Sequence, residues 1–237
     1  MNDVIILGAG GHGRVVLDIL LRAKLHRPIG FIDNNTRIHG RRIDGLPVLG
    51  GPDLLSDMRK RGISHAIIAV GDNGARRDLA RTLESNDFEL VCAIHPSAQL
   101  ACSVTLGRGV VIAAGAMVCA HCQIGDYAIL NTGCIVDHES MIGTAAHVCP
   151  GVRLAGHVTV ESGAFIGIGA TVIQNVRIGF EAVVGAGAVV VKDVDPMTTV
   201  VGVPAHAVKD APSASEFVTL LTPTLDPRDP MYVLTPR

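Results

Sequence analysis

The sequence predicts two folded parts in series, a small α/β unit with a parallel sheet and a long parallel β-helix. Three observations predict this. Near the N-terminus, short apolar runs alternate with amphipathic stretches, and the first run empties into the Gly-rich GAGGHG. From Ile94 a large aliphatic residue recurs every six positions. The 237 residues are 48% hydrophobic but only 3% aromatic, with 27 Gly and no Trp, which suits a narrow, repetitive core.

In chain order, residues 3–8 (DVIILG) read as a first strand, and GAGGHG opens a helix with Val15, Val16, Ile19 and Leu20 on one side. A second strand, PIGFIDNN, ends on Asp33 and Asn34. A third, HAIIAVGDN, ends on Gly71, Asp72 and Asn73. A helix led by Arg76 and Arg77 and a last strand, FELVCAIH, complete a unit assigned to residues 1–93. Strands alternating with helices make a parallel sheet, which binds ligands at the carboxyl ends of its strands. Gly8, Gly10 and Gly13 satisfy G-x-G-x-x-G, with Asp33 20 residues beyond Gly13. Such a turn lets backbone approach a diphosphate, and the helix N-terminus adds donors and partial positive charge. The unit is too short for both halves of a dinucleotide fold, so a nucleotide-linked sugar suits it better than NAD. A purely structural Gly turn is the other reading.

From Ile94 to Val190, seventeen positions spaced by six are all Ile, Leu or Val. A second series four residues later, from Ala98 to Val194, is small or β-branched throughout. Neither a period of 3.6 nor one of two generates this pattern. A triangular β-helix does, with one flat side and one corner per hexad and three hexads per coil. The large aliphatics stack inside, and the register holds without a long interrupting loop. Residues 94–210 are assigned to this domain.

Composition also excludes function classes. A formal net charge of −2 gives no electrostatic reason to expect nucleic acid or an anionic membrane as partner. No apolar run is long enough to span a bilayer. The first residues, MNDVIILGAGGHG, read as a strand rather than a signal peptide. Cys119 and Cys122 form one C-x2-C without a second pair to complete a metal set, so the six Cys read as reduced, structural thiols in a cytoplasmic protein.

The hexads, the order of Gly-rich unit then uninterrupted repeat, and GVPAHAV at 202–208 make residues 1–210 similar to the NeuD/PglD-like sugar acyltransferase family. The resemblance implies a β-helix of left-handed sense, against the usual crossover preference. It implies homotrimers with active sites between subunits, acetyl-CoA as co-substrate and no metal. The expected reaction is N-acetylation of a nucleotide-linked amino sugar, a 4-amino-4,6-dideoxyhexose, for polysaccharide biosynthesis. O-acetylation of a sialic acid or another sugar is the alternative.

By the same resemblance, His138 in IVDHESMIG is the catalytic base and Glu139 raises its basicity. The acceptor amine must lose a proton as it attacks the thioester carbonyl, and an imidazole, which ordinarily titrates near pH 6.5, suits that task. The backbone N–H of Gly156 is the expected oxyanion donor. His147 is expected to contact acetyl-CoA, which would run along the β-helix near Ile168 and Ala186. The nucleotide sugar would lie on Gly10, Gly11, His12, Asp33, Asn34 and Gly71. Cys134 and Cys149 read as packing or corner residues, and no covalent intermediate is required. The family often carries a second acid where this chain has Asn34, and Asn or another polar residue where it has His157.

Two rivals use the same repeat. A γ-class carbonic anhydrase would need three His on zinc; His121, His138, His147 and His157 are available, but the expected H-x4-H spacing is missing. A non-catalytic scaffold would have no reason to place His138, Glu139 and His147 beside a coenzyme groove. Residues 211–237, with five Pro around FVTLL, depart from the family.

Overall fold

The computed structural model describes residues 1–208, and the expected Pro-rich tail at 211–237 lies outside them. The N-terminal unit runs β1 (Asn2–Leu7), α1 (Gly11–Ala23), β2 (His26–Ile32), β3 (Arg42–Ile43), β4 (Leu46–Gly50), α2 (Leu55–Lys60), β5 (His65–Ile68), α3 (Asn73–Ser85) and β6 (Glu89–Leu90). Its sheet has the order β3-β4-β2-β1-β5-β6, parallel except for the β3–β4 hairpin. Val4 to Leu7 are all buried, as expected of a central parallel strand covered on both faces.

Three details differ from the sequence reading. On α1 the buried face is Val16, Leu17, Ile19 and Leu20, while Val15 points outward at 38% exposure. FELVCAIH is two strands: β6 joins the α/β sheet, and Ala93–Ile94 pairs with Val111–Ile112 in the first coil of the β-helix. The β3–β4 hairpin was not anticipated; Asp44 and Gly45 at its turn have φ of 46° and 83°, the backbone a two-residue type I′ hairpin requires.

From Ala93 to Val190 the chain winds as a parallel β-helix with three faces, each strand two residues long. Partners within a face are 18 residues apart, as in Val111↔Ile129 and Met117↔Ile135. The second residue of each strand points inward, and Ile112, Val118, Ile124, Leu130, Val136, Ile142 and Val148 are buried in one continuous core. The first residue points outward. On the first face these outward residues meet the α/β unit, where Val111, Ala113 and Ile129 share a cluster with Val4, Ile6, Val16 and Leu20.

The helix α3 fixes the two parts together along one edge. Tyr127, Ala145, Gly163 and Glu181 repeat every 18 residues at the corner where the third face turns into the first, all with positive φ. Arg76 donates from Nε to Tyr127 O (2.8 Å) and from Nη2 to Ala145 O (2.7 Å), and Asn73 donates to Gly163 O (2.8 Å). Arg77 pairs with the Glu181 carboxylate. Four successive corners are thus each held by a polar side chain of one helix.

Candidate active site

His138 and Glu139 occupy the corner where the second face turns into the third, just after the strand Ile135–Val136. Each coil places a residue in the left-handed region there: His121, Glu139, His157 and Asn175, with φ of 57–62°. The stacking brings Gly156 under His138 and His157 beside Glu139. His138 Nδ1 lies 3.2 Å from Glu139 Oε2, and His157 Nε2 lies 3.1 Å from the same oxygen. A carboxylate only accepts, so the geometry places a proton on His138 Nδ1 and leaves the Nε2 lone pair free. The two imidazoles meet edge to face with centroids 5.2 Å apart. All three side chains are about half exposed.

Gly156 is a position where a side chain would not fit. A Cβ there would stand 2.5 Å from His138 Cε1 and Nε2, so the absence of one lets the ring lie flat against the backbone. The neighbouring bonds Ala155 N–H to Val172 O and His157 N–H to His138 O are made, but the Gly156 N–H donates to no acceptor among the described residues. A free donor therefore sits beside the free imidazole nitrogen.

A second constellation lies in the α/β unit. A cavity of about 400 Å³ opens at the carboxyl ends of β1, β2 and β5, lined by Gly8, Asp33, Asn34, Val70 and Asp78 among others. Asp33 braces its floor: Oδ2 accepts from Ala9 N–H and Oδ1 from Asn35 N–H, both at 2.8 Å. Gly8 has φ of 106°, and a Cβ on Gly13 would strike the Gly8 carbonyl, so these two glycines close the turn onto the helix. Gly10 caps α1 without a side-chain hydrogen bond, which leaves the first N–H groups of the helix for a ligand. Gly10, Gly11, His12 and Gly71 do not line the cavity itself.

Between cavity and β-helix lies a buried polar cluster. Arg76 is 1% exposed and uses all five of its N–H groups on neutral oxygens, the carbonyls of Tyr127, Val70, Gly71 and Ala145 and the amide oxygen of Asn73. Burial pulls its pKa down to about 9, so it remains a cation at neutral pH. His147, 7% exposed on the first face, sets Nδ1 3.3 Å from Gly71 O and Nε2 3.2 Å from the Asn131 amide. Burial, and then the Arg76 charge, push its pKa well below the ordinary value. The same two causes lower His12 to about 4; its Nε2 is buried without a protein partner.

The depressed imidazoles make stability pH-dependent. Below about pH 6.5 the unfolded chain protonates both His, while folded His12 stays neutral down to about pH 4. The unfolded state then binds more protons, so stability present above pH 6.5 is lost as pH falls through that window. Thermal melts from pH 7 to 4 are expected to show this, with a shallower fall in His12→Asn than in the parent. An equal slope in both would rule out His12 as a source.

The structure brings together His138, Glu139 and Gly156 at one corner, and sequence reasoning missed that His157 joins them. It does not bring these four to the Asp33 cavity of the same chain, because the α/β unit covers the first face and this corner is opposite that face. His147 lies on the first face, apart from His138, and among the described residues of one chain no three His of the carbonic anhydrase reading come together. Ile168, 58% exposed, and Ala186 stack at the corner between the first and second faces, one face away from His138. The residues able to hold a metal ion, among those described, are His138, Glu139 and His157.

Comparison with known proteins gives the chain's relatives. Residues 3–83 match the family model of the PglD N-terminal domain. UDP-N-acetylbacillosamine N-acetyltransferase of Bacillus subtilis is 33% identical over 116 residues, about half of each chain (48% of this one and 52% of the relative). Perosamine N-acetyltransferase of Caulobacter crescentus, solved with one histidine changed to asparagine and with CoA and GDP-perosamine, is 41% identical. The match covers 89% of this chain and 98% of that one, with a TM-score of 0.85. The chain belongs to the PglD-like family of sugar N-acetyltransferases. The acetyltransferase domain of PglB from Neisseria gonorrhoeae is 33% identical with a TM-score of 0.83, over 88% of this chain and all of that domain. No helix among the described residues is long and apolar enough to cross a membrane.

Proposed function

We propose that this protein transfers the acetyl group of acetyl-CoA to the amine of a nucleotide-linked amino sugar, a 4-amino-4,6-dideoxyhexose. The observation that carries the reading is the His138–Glu139 pair lying over the unused Gly156 N–H, in a chain 41% identical along nearly its whole length to a perosamine N-acetyltransferase. Glu139 holds the Nδ1 proton, so His138 Nε2 accepts the proton of the amine as nitrogen attacks the thioester carbonyl. The Gly156 N–H stabilises the oxyanion, and collapse expels CoA as thiolate, which takes up a proton. The diphosphate would lie at the α1 N-terminus near Gly10, Gly11 and His12, with Asp33, Asn34 and Gly71 facing the nucleoside. Acetyl-CoA would pass Ile168 and Ala186, with the buried His147 reaching it at most by a ring edge. Free Cys throughout the described residues favour a reducing, cytoplasmic setting.

A cavity on one side of the chain and a base on another can act together only across a subunit boundary, and a closed homotrimer supplies three such boundaries. The test mixes two inactive variants, His138→Ala and Asp33→Ala, by unfolding and refolding together. Sites shared between subunits give about one intact site in four from an equal random mixture, a consequence of the closed symmetry. No recovery on mixing would place both halves of the site in one subunit.

A further inference from the structure

We propose that His138, Glu139 and His157 form an inhibitory site for a borderline divalent transition cation, Zn²⁺ foremost, that switches the base off without blocking the groove. The site is not a cofactor site. It rests on the reading of His138 as base. The ligand set is two imidazoles and a carboxylate, the composition of open zinc sites with three protein ligands and one free position. One ligand atom from each residue lies within 4.8 Å of the others. Bonds of about 2.0–2.1 Å put tetrahedral ligands about 3.3 Å apart. The His138 Nδ1–Glu139 Oε2 and His157 Nε2–Glu139 Oε2 separations, 3.2 and 3.1 Å, already match that edge. The rings stand edge to face, so their nitrogen lone pairs can converge on one point instead of stacking. Half exposure of all three side chains gives an ion a way in and keeps the fourth position open to water.

The chemistry of inhibition follows from the tautomer. A base needs its proton on Nδ1 and its lone pair on Nε2. An ion bound at Nδ1 takes the lone pair of that nitrogen, and the single ring proton moves to Nε2, so the imidazole stays neutral but has no free lone pair with which to accept the proton of the amine. His157 likewise carries its proton on Nδ1 while Nε2 binds the ion. No atom is gained or lost beyond the ion and its water. His157, where the family is expected to have Asn or another polar residue, is the ligand that makes the set.

The experiment titrates metal-free enzyme with Co²⁺ and then Zn²⁺, following the visible bands of four-coordinate cobalt and acetyl transfer in parallel. We expect about one ion per chain, cobalt displaced by zinc, activity falling with occupancy, and full recovery on chelation. His157→Asn should weaken cobalt binding by more than the roughly 10–100-fold typical of losing an outer-shell partner. Four outcomes overturn the proposal: no cobalt site, unchanged affinity in His157→Asn, occupancy without loss of activity, or charge-transfer bands from thiolate that place the ion at Cys119 and Cys122. Acetyl transfer by metal-free enzyme that binds no cobalt sinks this site and leaves the proposed function standing. Metal-free enzyme that transfers no acetyl group sinks both.

Discussion

Replacing His138 by alanine is expected to lower kcat by about 10²–10⁴, the usual contribution of a positioned general base. That corresponds to roughly 2.7–5.4 kcal/mol of transition-state stabilisation. The fold should survive, because the side chain is half exposed and carries no part of the core. Glu139→Gln should cost less, since it orients the ring without taking the amine proton itself. The dependence on pH separates a base from a positioning group. If His138 takes the proton, the deficit of the alanine variant shrinks as pH rises and the free amine or hydroxide replaces the base. A deficit constant with pH would mean that His138 only holds the acceptor. Wild-type turnover at pH 7 in the variant would move the chemistry elsewhere.

The largest expected effect on stability comes from Arg76→Met. The substitution keeps an apolar stem but strands the carbonyls of Tyr127, Val70 and Ala145 in a buried seam and takes one of its two partners from Gly71 O. Leaving several buried acceptors unpaired costs about 3–4 kcal/mol together. For a chain of this size that lowers Tm by roughly 6–15 °C. Arg76→Lys should recover little, because one ammonium cannot reach acceptors spread across five directions. The same carbonyl of Gly71 faces His147, so loss of Arg76 also loosens the wall between cavity and β-helix. A melt within 2 °C of wild type, a shift worth under about 1 kcal/mol, would show that the seam is not held this way.

The β-helix was legible because its period is carried by every hexad: seventeen large aliphatics in strict register leave one solution. The Gly-rich turn was legible for a similar reason, since Gly8 and Gly13 each sit where a Cβ would collide. The β3–β4 hairpin was readable in principle from Asp44-Gly45 between Ile43 and Leu46. Arg76 was not. A charged residue near a helix start reads as solvated, and only the fold reveals the ring of carbonyls that accepts it. His157 escaped for a different reason. Eighteen residues separate it from Glu139, so their contact is a property of coil stacking, invisible to any local motif. The split between the His138 corner and the Asp33 cavity needed the fold as well, because the sequence does not say which face the α/β unit covers.

Acetyl transfer itself is tested most directly by product analysis. The purified protein would be incubated with acetyl-CoA and GDP- or UDP-linked 4-amino-4,6-dideoxyhexoses, and the products read by mass spectrometry before and after treatment with hydroxylamine. The account predicts one acetyl group per sugar, equimolar free CoA, and a product that survives hydroxylamine because the new bond is an amide. No acetylated nucleotide sugar, or an acetyl group released by hydroxylamine as an ester would be, contradicts it.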